Sequence, residues 1–172
     1  MQRKAAEYVR RLFAEPAPDD VSWLAAAATR GDTDHAQWEL RYARRALGLI
    51  TAERDALNDR TASIVAYELT AALENDPGVA ADMLETAQRQ FNARLAAYRD
   101  GLDAKGGPAT TIRMGQTLFA FAGGTFKGED ANIIRAGALL DTYLAEANEA
   151  LRAVFGTAAL PEDVPPSAVL GR

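Results

Sequence analysis

No cysteine occurs in the 172-residue chain, which excludes a disulfide framework, a thiolate zinc site, an iron–sulfur cluster and a cysteine nucleophile. Valine and isoleucine together number 12, so the β-branched side chains that suit pleated surfaces are scarce. Histidine occurs once and serine three times, at 22, 63 and 167, and no Gly-x-Ser-x-Gly elbow is present, which leaves nucleophilic catalysis little to work with. No window approaches the roughly 18 apolar residues of a spanning helix, and Met1 to Arg11 carries four basic residues without an apolar run of the secretory kind. The expectation is a cytoplasmic protein with no membrane segment and no cofactor.

What the chain has in abundance is alanine, 37 residues, the strongest helix former. The apolar fraction of 48% and charged fraction of 25% are those of a folded domain, and the length suits one core. The net charge of −5 is unevenly distributed. Residues 1–60 hold ten acids and ten bases, while 61–172 hold fourteen and nine, which weighs against broad nucleic-acid binding.

These features predict an all-α fold, an antiparallel helical bundle in a single domain over 1–156, followed by an extended or mobile proline-containing tail over 157–172. Gln2 to Glu15 carries Val9, Leu12 and Phe13 at helical spacing, and Pro16 and Pro18 stop it. A short helix from Val21 to Thr29 follows. Between His35 and Asn75 there is no proline and a single glycine, Gly48, so one unusually long helix of about 41 residues and about 60 Å is expected. Its two weak points are Gly48 and the turn-favouring Leu57-Asn58-Asp59-Arg60. Asp76-Pro77-Gly78 closes it, and further helices are predicted over 79–104, 111–122 and 130–155, the last ended by Gly156.

A helix of that length outruns its neighbours, and a second copy of the chain can cover the excess, so a homodimer burying Trp38 and Tyr42 is one expectation. Arg41, Arg44 and Arg45 fall beside Trp38 and Tyr42 on one face, a combination suited to an acidic protein partner or to intersubunit pairing. Glu53, Arg60 and Glu68 lie near the apolar stripe at spacings of seven and eight, where inward-pointing charges need partners such as Arg94 and Arg99. They form the candidate polar site of a ligand-binding protein or enzyme. His35 and Glu39 share a helix face behind Asp32 and Asp34, but the spacing fits neither an EF-hand nor a di-iron bundle, and a capped helix start accounts for it without a metal. The leading reading is a non-catalytic interaction protein, an adaptor or regulator acting through a helix face. Whether it is an enzyme stays open, with the balance against.

Overall fold

A computed structural model describes residues 1–56 and 58–156, and the expectation for the tail over 157–172 lies outside them. Among the described residues there are seven α-helices and no strand. They are α1 (Gln2–Leu12), α2 (Pro18–Ala27), α3 (Thr33–Asp55), α4 (Asp59–Glu74), α5 (Leu84–Asp103), α6 (Thr110–Ala122) and α7 (Ala131–Phe155), with one 3-10 turn, Ala81–Met83, ahead of α5. No described helix is long and apolar enough to cross a membrane.

The helix expected over 35–75 is two helices. Ala56 adopts an extended backbone at the end of α3, and Asn58 starts α4 by accepting from the Thr61 amide at 2.8 Å and the Thr61 hydroxyl at 3.1 Å. An asparagine that can satisfy two donors at once outweighs the helix propensity of its neighbours. Gly48, the other weak point, stays helical. The chain then folds back, bringing Asp76, just past α4, to Arg45 in the middle of α3. The excess length that called for a second copy is therefore absent: α3 has 23 residues, about 35 Å, and packs against all six other helices. The helix predicted over 79–104 also starts late, because Ala80 is extended and 81–83 form the 3-10 turn.

α3 is the centre of the molecule. Every residue from Arg45 to Ala52 is buried, so this helix has no solvent side over two turns, unlike the amphipathic helices around it. Its small residues let neighbours close in. A side chain at Gly48 would collide with Leu12 of α1, and Tyr8 one turn earlier donates its hydroxyl to the Gly48 carbonyl at 2.7 Å. α6 and α7 approach even more closely: a Cβ at Gly137 would lie 2.4 Å from the Thr111 carbonyl oxygen, and one at Gly115 would lie 2.5 Å from that of Ile133. Caps fix the starts of α3 and α7, where Asp32 accepts from the His35 amide and Asp130 from that of Ile133, both at 3.0 Å. Arg113 organises the link between α5 and α6 by donating to the carbonyls of Gly101, Ala104, Gly106 and Pro108.

Two predictions follow from this packing. Gly137→Ala sets a methyl against backbone that cannot step aside, and should cost roughly 1–3 kcal/mol in denaturant unfolding. Gly48→Ala meets the Leu12 side chain rather than backbone and gains about 1 kcal/mol of helix propensity, so it should cost less. The reverse order would contradict the helix contacts described. The second concerns Tyr8, Tyr98 and Tyr143, which burial holds in the neutral form. Burial pushes the Tyr143 hydroxyl up to about 12, and moves those of Tyr8 and Tyr98 in the same direction. Unfolded tyrosine ionises near pH 10, so above that pH the unfolded chain binds fewer protons than the folded one and stability falls as pH rises. Each tyrosine contributes up to about 1.4 kcal/mol per pH unit in that window. Urea unfolding at about pH 9 and about pH 11, with phenolate absorbance followed in parallel, should show ionisation coinciding with unfolding.

Candidate functional site

Because α3 is enclosed, its buried charged side chains must find partners on the elements around it, and several of its charged groups are paired there. Glu39, 2% exposed, accepts from Arg94 of α5 through both carboxylate oxygens, at 3.1 Å from Nε and 2.5 Å from Nη2. His35 Nε2 lies 3.4 Å from the same carboxylate. Arg41 forms a two-pronged pair with Glu15, both bonds 3.0 Å, in the segment between α1 and α2. Arg44 reaches Glu146 of α7 at 2.8 Å. Arg45, 4% exposed, donates from Nη1 to Asp76 at 2.8 Å, while the other Asp76 oxygen accepts from the Gly78 amide at 2.9 Å. Glu53 pairs with Arg99 of α5.

Aromatic rings complete the arginine environments. The guanidinium of Arg41 sits 4.6 Å from the Trp38 ring centre, that of Arg44 4.3 Å from Tyr143, that of Arg45 3.9 Å from Phe13 and that of Arg94 4.4 Å from Phe121. A cation over a ring face retains part of the stabilisation lost on leaving water. Burial still lowers the Arg45 pKa, with the charge of Asp76 opposing. The Nε donors of Arg44 and Arg45 are buried without a hydrogen-bond partner among the described residues.

The residues expected to bind a partner thus divide. Tyr42 and Arg45 are buried, Arg41 and Arg44 are half-buried and paired, and Trp38 is half-buried at a surface. The free cationic face inferred from sequence is a set of internal pairs. The second set is not gathered into one place: Glu53 and Arg60 are exposed, and Glu68 has a buried carboxylate oxygen without a partner among the described residues. Among the described residues, no group of three or more histidine, cysteine, aspartate or glutamate side chains is placed to hold a metal ion.

What the fold builds instead is a groove between the first half of α3 and the segment from Asp76 to Arg94. It consists of two adjoining clefts of about 170 and 390 Å³ that share Trp38, Tyr42, Val79 and Ala87. The larger is in the size range of ligand sites. Its apolar wall is continued by Met83, which is 49% exposed, and its polar end holds His35, Glu39 and Arg94. Tyr42 is fixed at the base, donating to Gln90 at 3.1 Å and stacking on Trp38 with ring centres 5.6 Å apart. Sequence periodicity finds Trp38 and Tyr42, one helical turn apart. Periodicity puts Val79 and Met83 only on the packing stripe of a helix over 79–104 and does not gather them with Asp76 and Gln90, because the groove exists only through the delayed start of α5. Compared with known proteins, the chain matches no family model, no curated protein and no solved structure.

The buried pair under the groove yields a stability test. Asp76→Asn keeps an acceptor for Gly78 but leaves Arg45 a buried charge without its counterion, which should cost about 3–5 kcal/mol. Adding Arg45→Met removes the stranded charge and should restore at least half of that loss in chemical unfolding. A double variant no more stable than the single one would show that the pair does not govern this packing.

Proposed function

We propose that the protein is a non-catalytic helical interaction module, an adaptor or regulator, whose docking surface is the groove between α3 and the segment from Asp76 to Arg94. One observation supports this reading above the rest: Trp38, Val79 and the exposed Met83 form an apolar strip on a surface that the fold leaves open, backed by the buried Arg45–Asp76 pair and the Glu39–Arg94 pair. Apolar strips bounded by polar side chains mark interaction sites more often than they occur by chance on soluble proteins. The aromatic residues supply contact area at small entropic cost, since each has only two side-chain torsions to fix. The wall is held rigid by the pairing behind it, which limits the ordering cost of binding.

Selection from a peptide library of unbiased charge tests this. Selected peptides should perturb the fluorescence of Trp38 in a Trp23→Phe background and should lose binding to Ala87→Phe, which fills the groove, while the thermal melt of that variant is unchanged. Peptides that bind wild type and Ala87→Phe equally would place the interaction surface elsewhere.

A further inference from the structure

Resting on the groove as the docking surface, its charge identifies what it takes. The two arginines that line it are spoken for, Arg45 by Asp76 and Arg94 by Glu39. The rim carboxylates are not. Asp32 and Asp34 stand at the outer cleft and Glu74 at the inner one, all exposed and with no ion pair among the described residues. Glu85, also on the inner cleft, faces Arg89 at a loose 3.8 Å with both side chains largely in water. An exposed pair of that kind holds little energy and releases its carboxylate readily. The groove therefore presents an apolar floor and a rim on which exposed carboxylates outnumber the cations paired with them.

We infer that the groove binds a cationic peptide segment of a partner protein, with an apolar side chain seated against Trp38 and Met83 and lysine or arginine side chains over the rim carboxylates. A chain fits better than a small amine for two reasons. The carboxylates are spread over the start of α3, the end of α4 and the start of α5, so engaging them takes several cations on one backbone. The two clefts also adjoin along Trp38, Tyr42, Val79 and Ala87, which gives an elongated groove suited to an extended segment. The polarity is opposite to the acidic partner expected from the arginines of α3, because those arginines are consumed internally.

The probes are three synthetic peptides of leucine and glycine that differ only in carrying lysine, glutamine or glutamate at their polar positions. Trp38 emission in the Trp23→Phe background and isothermal calorimetry report binding. The lysine peptide should bind, and its affinity should fall as salt rises through physiological strength. Asp34→Asn, Glu74→Gln and Glu85→Gln combined should weaken the lysine peptide about tenfold and leave the thermal melt and the glutamine peptide unaffected. Equal binding of the lysine and glutamine peptides overturns the cationic partner while the groove reading stands. Tighter binding of the glutamate peptide overturns it as well. If none of the three changes Trp38 emission, the groove reading falls with it. If Trp38 emission responds to protein concentration alone and sedimentation shows a dimer, the occupant is a second copy of the chain and the peptide is overturned.

Discussion

The enclosure of α3 is the constraint on which the rest depends. A helix with water on one side can leave its charges there, and α3 has no such side through the middle of its length. Each charged group on its covered surface has to be met by an opposite charge brought from elsewhere in the chain. Arg41 draws in the segment after α1, Arg44 draws in α7, Arg45 the turn after α4, and Glu39 draws in α5. These pairs add little net stability over apolar contacts of the same volume, since desolvation offsets the Coulomb attraction. Their effect is on which arrangement survives: a neighbour packed in the wrong register leaves a buried arginine unmatched.

Small residues are the second half of that arrangement. An ion pair between side chains on adjacent helices requires backbones close enough for the side chains to meet, and alanine and glycine supply the closeness. Tyr8 reaches the Gly48 carbonyl because nothing projects from Gly48, and α6 lies on α7 because Gly115 and Gly137 face backbone. The same alanine content that marks the chain as helical also sets how tightly the helices meet.

That double role explains what could be read from the sequence. The all-helical fold was legible, since composition and periodicity act locally. Gly48 was legible only as a weak point and is instead a crossing point, because helix propensity of about 1 kcal/mol is outweighed by the contacts that a missing side chain permits. The break at Asn58 was visible as a turn-favouring run, yet the decision between kinked and separate helices rested on Thr61, whose amide and hydroxyl Asn58 accepts together. For the site, Trp38, Tyr42 and the arginines stood out on one face. Their exposure did not, since it depends on Glu15, Asp76 and Glu146, which lie from 26 to 102 residues away from their partners.

Charge read along a chain and charge presented at a surface are therefore different quantities here. The first 60 residues are balanced in sequence, and their arginines dominate the visible pattern. Folding pairs Arg41, Arg44 and Arg45 with carboxylates, so none of the three stands as a free cation, whereas Asp32 and Asp34 at the start of the same helix stay in water. Two carboxylates from the later, acid-rich part, Glu74 and Glu85, then join them around Trp38. A helix that looks basic in sequence thus contributes the apolar wall of an anionic groove. The pairs between α3 and its neighbours also determine the sign of the charge left at the groove.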